Sequence, residues 1–255
     1  MTDIIPTRVA LVTGASGGIG RAVAQRLAQD GFAVAVHYAG NKTAADAVVD
    51  QVRSAGGRAI AVGGDVADEV AMAGVFDAVA SEFGGVDVVV HTAGVMRLGP
   101  IATVSLDDVD AMHRTNIRGT FVVDQLAAQR VRTGGAIVNF STTVTRTQFP
   151  TYGAYVASKA AVEGMTMVLA RELRGRDITV NAVAPGPVMT ELYRNNNPMS
   201  AAQRQELEQR IPLKRLGEPE DIAGVIAFFL SADARFVTGQ VLYACGGLSV
   251  GAAPL

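Results

Sequence analysis

The sequence predicts an α/β protein in which one doubly wound sheet of seven parallel strands carries helices on both faces. Short, wholly apolar runs alternate with stretches of helical period through nearly the whole chain. The first of these runs leads straight into a glycine-rich turn, Thr13 to Gly20, ahead of a helix. Strands that are apolar on both faces need cover above and below, which a parallel sheet with crossover helices supplies. Right-handed crossovers then wind the sheet outwards in both directions.

The elements follow in order. Val9–Val12 is the first strand, and Arg21–Gln29 is a helix with Val23, Ala24 and Leu27 at helical spacing. Ala33–His37 and Arg58–Val62 are the next strands, followed by helices over Thr43–Ser54 and Asp68–Phe83. Asp87–Val90 is the fourth strand, and one long helix is expected from Leu106 to Val131. Ala136–Phe140 and Ile178–Val183 are the fifth and sixth strands, with a helix over Gly153–Leu173 between them. Pro185–Arg210 reads as polar and irregular. A last helix, Glu218–Leu230, precedes the seventh strand, Gln240–Tyr243. A closed eight-strand barrel is the alternative, disfavoured by the glycine-rich first turn and the seven strand candidates.

Composition narrows the function. Of 255 residues, 49% are hydrophobic, enough for a substantial core, and no linker or repeat divides the chain, so one domain over 1–255 is expected. Only 18% are charged, which leaves helix surface to pack against other subunits. The net charge of −2, without a long Lys/Arg run, leaves no footprint for nucleic acid. The lone Cys245 excludes an intrachain disulfide framework and suits a reducing compartment. The N-terminal segment has no basic and apolar leader pattern, and the apolar run Ala223–Leu230 is too short to cross a bilayer. A cytoplasmic protein without a membrane partner is expected. The three histidines stand apart, so no metal site is expected.

Chemistry enters at the turn. Gly14, Ser16, Gly18, Ile19 and Gly20 lie between a strand and a helix, where backbone N–H groups and the helix dipole favour a pyrophosphate. A second cluster, Tyr155 and Lys159, sits four positions apart near the start of a helix and so shares one face. A free tyrosine has a pKa near ~10, and a neighbouring ammonium favours its phenolate. Such a pair can pass a proton to or from a carbonyl or alcohol oxygen.

The Gly-x-x-x-Gly-x-Gly spacing and the Tyr-x-x-x-Lys pair together resemble the short-chain dehydrogenase/reductase family, over nearly the whole chain from Val9 to Gly247. The resemblance is close to its 3-oxoacyl-carrier-protein reductase-like and sugar-dehydrogenase-like members. It implies a Rossmann-like fold and hydride transfer between a nicotinamide and a carbonyl or alcohol carbon of a small molecule. It implies that Asn116 shapes its helix so that a water links the lysine to solvent. It places a hydroxyl thirteen positions before the tyrosine, where this chain has Thr142 in place of the usual serine; Ser141 is the alternative register. Asp65 and Val66 would meet the adenine, and Ala93 and Gly94 the ribose. The loop with Pro185, Gly186, Val188 and Thr190 would hold the carboxamide. His91 and Thr92 replace the family's asparagines and are read as tethers.

An acid after the second strand would select NAD(H). This chain has His37, Tyr38, Asn41 and Lys42 there, so NADP(H) is preferred over NAD(H). Met96, Gln148, Phe149, Tyr152 and Tyr193 are read as substrate-pocket residues, with residues 190–210 as a lid. Relatives are mostly tetramers, so a homotetramer is expected, with the apolar tail from Leu248 to Leu255 in the packing. The competing reading is a catalytically weak, NADP-binding sensor or scaffold of the same fold.

Overall fold

A computed structural model describes residues 7–249. The leader reading of residues 1–6 and most of the apolar tail, 250–255, lie outside the described residues. Seven strands form one parallel sheet: β1 (Val9–Thr13), β2 (Ala33–Tyr38), β3 (Arg58–Gly63), β4 (Val86–His91), β5 (Val131–Phe140), β6 (Thr179–Pro185) and β7 (Val241–Ala244). Their order is β3-β2-β1-β4-β5-β6-β7, and every pair is parallel. This is the doubly wound α/β arrangement that the sequence predicts.

Strand periodicity divides the core. Val9 and Leu11 point to one face, Ala10 and Val12 to the other. Helices α1 (Gly18–Gln29), α2 (Lys42–Ser54) and α10 (Pro219–Phe229) cover the face that holds Val12, Val34, Val36 and Val138. Helices α3 (Glu69–Phe83), α5 (Gly119–Arg130) and α7 (Gly153–Glu172) cover the face that holds Leu11, Val89, Ile137 and Val180. Each fully buried aliphatic side chain of this kind contributes roughly 1.5–3 kcal/mol.

Three expectations need correction. The long helix is two helices, α4 (Leu106–Met112) and α5, joined by a π-helical turn at His113–Arg118. Side-chain period cannot reveal such a turn, because the apolar positions before and after it each look helical on their own. Second, Val131 ends no helix: it starts β5 and pairs with Val86, and the ladder shifts register before Val88. Third, the stretch read as irregular contains α8 (Glu191–Asn196) and α9 (Ala201–Arg210), after a short α6 (Val144–Thr147). No residue of α8 or α9 is buried, so neither carries the apolar stripe that marks a helix in sequence.

A buried polar group lies under α5 and α7. Asn139 Nδ2 donates to Asp124 Oδ2 at 2.9 Å and to Thr166 Oγ1 at 3.1 Å, leaving Asp124 Oδ1 and Asn139 Oδ1 without partners. Burial pushes the Asp124 carboxyl up to about 7.

Candidate active site

The strand order reverses between β1 and β4, and the crevice at the carboxyl ends of those strands is where open α/β sheets bind ligands. The glycine-rich turn lies there. Gly14 has φ 64°, and an added Cβ would stand 2.9 Å from the Ala93 Cα. At Gly20 the same atom would come within 2.4 Å of the Gly14 carbonyl oxygen. The turn is thus packed tightly on the β4 side. On its other side Gly17 caps α1 with no side-chain hydrogen bond and with nothing within 4 Å of an added Cβ. The first N–H groups of α1 thus have no side-chain cap, which fits the phosphates of a dinucleotide.

The turn is tied to β4 through a histidine. Thr13 Oγ1 and His91 Nδ1 are 2.8 Å apart, and His91 Nε2 lies 3.1 Å from Thr120 Oγ1. Thr120 spends its only hydroxyl proton on the Asn116 carbonyl oxygen at 2.7 Å. It must accept from His91, so the network assigns the proton to Nε2. Burial holds this imidazole neutral, with its pKa lowered to about 3. Thr92 Oγ1 donates to the Thr13 carbonyl at 2.6 Å. His91 and Thr92 are tethers, as the sequence suggests.

His37 does not stand on the surface as a phosphate donor. It is buried beneath the turn, accepts from Gly14 N at 3.3 Å, and is kept neutral by burial, with its pKa lowered to about 4. The alternation of β2 turns position 37 away from the face that carries Tyr38. Tyr38 instead lies over Gly63 of β3. Asn41 caps α2 by accepting from Ala44 N at 3.0 Å, and Lys42 pairs with Asp46 at 2.7 Å. Asp65 accepts from Ala67 N and pairs with Arg114 at 2.6 Å, while Val66 is buried against Gly119.

The catalytic candidates converge on one cavity of about 500 Å³. Thr142, Tyr155 and Lys159 line it, together with Ile19, Gly94, Pro185, Gly186, Val188 and Thr190. The Thr142 hydroxyl lies beside the Tyr155 phenol and favours its ionised form. Ser141 is committed elsewhere, donating to Glu163 Oε1 at 2.5 Å. The hydroxyl next to the phenol is therefore that of Thr142. Lys159 Nζ donates to the Phe140 carbonyl at 2.8 Å, and burial lowers its pKa to about 8.

Asn116 lies in the π-helical turn. Its amide accepts from Val95 N at 2.9 Å and donates to the Val95 carbonyl at 2.8 Å and to Ser158 Oγ at 3.0 Å. It clasps the loop after β4 to the helix that carries Tyr155 and Lys159. The Tyr155 phenol differs from the expectation in one respect. Burial pushes its pKa above the usual tyrosine value, Tyr152 adds to that effect, and only the Thr142 hydroxyl opposes it. With its ammonium engaged by Phe140, Lys159 does not reverse the shift.

Met96, Phe149, Tyr152 and Tyr193 line the same cavity, as expected. Gln148 does not: it ends α6 with φ 50° and its side chain is exposed. Tyr152 Oη donates to Asn197 Oδ1 at 2.6 Å, joining the start of α7 to the end of α8. Sequence reasoning placed residues 190–210 in a lid but did not name Gln203, Leu207 and Arg210 of α9, which also line the cavity. The available signal was the capping box formed by Ser200 and Gln203.

Comparison with known proteins agrees with this geometry. Residues 14–249 match the family model described as enoyl-(acyl carrier protein) reductase. An uncharacterised oxidoreductase of Methylorubrum extorquens is 43% identical, over 94% of this chain and 97% of its own. The 3-oxoacyl-[acyl-carrier-protein] reductase of Staphylococcus aureus is 39% identical, over 95% and 98%. The crystal structure of a short-chain dehydrogenase from Burkholderia cenocepacia in complex with NADP superposes with a TM-score of 0.87 at 40% identity, covering 95% and 98%. The chain belongs to the short-chain dehydrogenase/reductase family and is an NAD(P)(H)-dependent oxidoreductase.

Proposed function

We propose that this enzyme prefers NADP(H) and reduces the carbonyl of a small ketone or 3-oxoacyl compound. The observation that carries the reading is the meeting of Thr142, Tyr155 and Lys159 on one cavity beside the glycine-rich turn. Gly14, Ser16, Gly18, Ile19 and Gly20 would hold the pyrophosphate, and Ala93, Gly94 and Lys159 the nicotinamide ribose. Pro185, Gly186, Val188 and Thr190 would hold the carboxamide. The bound nicotinamide supplies the hydride.

The chain's own groups supply the rest. Thr142 and Tyr155 hydrogen-bond the substrate oxygen, and Tyr155 gives it a proton. The phenol, held above its usual pKa by burial, carries its proton at neutral pH and so has one to give. Asn116 holds the loop after β4 against α7 and so fixes the spacing between turn and phenol.

NADP(H) preference rests on the absence of an acid between Tyr38 and Lys42 and on the NADP held by the Burkholderia relative. Tyr38, Asn41 and Lys42 are the donors left at that end once His37 is removed from the set. The Staphylococcus relative's name supports a 3-oxoacyl-type substrate. We read residues 1–255 as one domain and 190–210 as the lid, closed by the Tyr152–Asn197 hydrogen bond. Ethyl acetoacetate and an acetoacetyl thioester, with NADPH absorbance as the readout, provide the test. Tyr155→Phe should lower turnover by about 10³-fold while NADPH binding, followed by fluorescence, is retained. Undiminished turnover would refute the role.

A further inference from the structure

Three residues of α7 form a stripe at consecutive helical turns: Tyr155, Lys159 and Glu163. Each meets a point at or just beyond the end of β5. Tyr155 meets the Thr142 hydroxyl, Lys159 takes the Phe140 carbonyl oxygen, and Glu163 takes the Ser141 hydroxyl. The first two rungs belong to the proposed chemistry. The third has no role in it.

Glu163 Oε1 gathers more than one hydroxyl. Ser141 Oγ donates to it at 2.5 Å, and Tyr243 Oη of β7 lies at 3.4 Å. Thr145 Oγ1 stands 2.9 Å from Glu163 Oε1 and 2.9 Å from the Thr142 carbonyl oxygen, so its one proton is shared between them. Ser141 and Thr145 bracket Thr142 in the chain. The backbone pairing with β6, through Ser141 N to Val183 O and Thr143 N to Pro185 O, fixes the strand as it ends. Within the turn from Thr142 to Thr145 that pairing ties Thr143 through its backbone. The carboxylate holds the side-chain hydroxyls on either side of Thr142, those of Ser141 and Thr145.

We infer that Glu163 is a positioning residue, clamping the turn through Ser141 and Thr145 so that the Thr142 hydroxyl stays against the Tyr155 phenol. It touches no reacting atom. The inference rests on the catalytic reading of Tyr155 and Thr142 given above. Glu163 lies outside the cavity lining, so its loss should spare the cofactor.

The test uses the intact enzyme, ethyl acetoacetate and NADPH. Glu163→Ala should lower kcat by about tenfold or more with the NADPH Kd unchanged, whereas Glu163→Gln, which keeps an acceptor at Oε1, should recover most of it. Thr142→Ala combined with Glu163→Ala should be no slower than Thr142→Ala alone, because the clamp acts only through that hydroxyl. Additive losses, an unchanged kcat, or weakened NADPH binding would each overturn the inference. If Glu163→Ala does not fold, Ser141→Ala with Thr145→Val removes the same clamp and should show the same kcat loss. Tyr155→Phe, run alongside, separates the two failures: a fully active Tyr155→Phe sinks the catalytic reading, while an inactive one beside a fully active Glu163→Ala sinks only the clamp. Crystal structures need no turnover: Thr142 Oγ1 should leave Tyr155 in Glu163→Ala, and an unmoved hydroxyl would refute the clamp.

Discussion

At the scale of single residues, burial decides most of the chemistry. Sequence spacing placed Tyr155 beside Lys159, and their partnership was readable from four positions of one helix. The direction of the Tyr155 shift was not, because it depends on how completely water is excluded, which no local pattern records. His37 shows the same limit: a histidine at a strand end reads as a surface donor until the pleat is known. Asp124 is the clearest case for measurement. Its carboxyl is raised by burial to about 7, while the unfolded chain ionises near 3.8. The native state thus holds the extra proton between those values, so its contribution to stability is full at acid pH and is lost as pH rises through about 7. Asp124→Asn removes that loss, and the new amide can donate to the orphaned Asn139 Oδ1. The variant should melt roughly 5 °C higher at pH 8 and gain less at pH 5. An equal gain at both pH values would contradict the account.

At the scale of elements, the sheet and its covering helices were legible and the site's outer wall was not. Wholly apolar strands and a glycine turn leave few alternatives for the core. The wall comes from α8 and α9, which bury nothing and so leave no periodic trace. Their place is set instead by single polar contacts, among them Tyr152 to Asn197, which links the lid to α7. Tyr152→Phe keeps the ring that packs edge-on to Tyr155 at 6.5 Å, and deletes the latch together with the hydroxyl's upward push on the Tyr155 pKa. We expect KM for the carbonyl probe to rise by roughly fivefold with kcat nearly unchanged, since the lid orders substrate and leaves the proton donor in place. Steady-state kinetics checks it, and a loss confined to kcat would argue against a lid.

At the scale of the whole molecule, one face remains open. Phe121 on α5 is 60% exposed, and Val168 on α7 is 56% exposed. They flank a groove that Asp124 and Leu169 also line. Apolar side chains this exposed on two long helices suit burial against a second copy, in keeping with the homotetramer proposed from the sequence. Phe121→Asp should shift the protein to a smaller species in light scattering, with its far-ultraviolet circular dichroism intact. An unchanged mass would place the interface elsewhere. Among the described residues no helix is long and apolar enough to cross a membrane.

The π-helical turn at His113–Arg118 carries one last implication. Hydrogen bonds that reach one residue farther than in an α-helix accommodate one surplus residue per turn. Losing that residue would close the gap into a regular helix and leave Met112 and Val122 facing inward as before. Packing alone therefore offers no reason to keep it. What the surplus residue preserves is the inward position of Asn116, whose side chain grips both the β4 loop and the catalytic helix. Chain length at this spot is under chemical rather than architectural control.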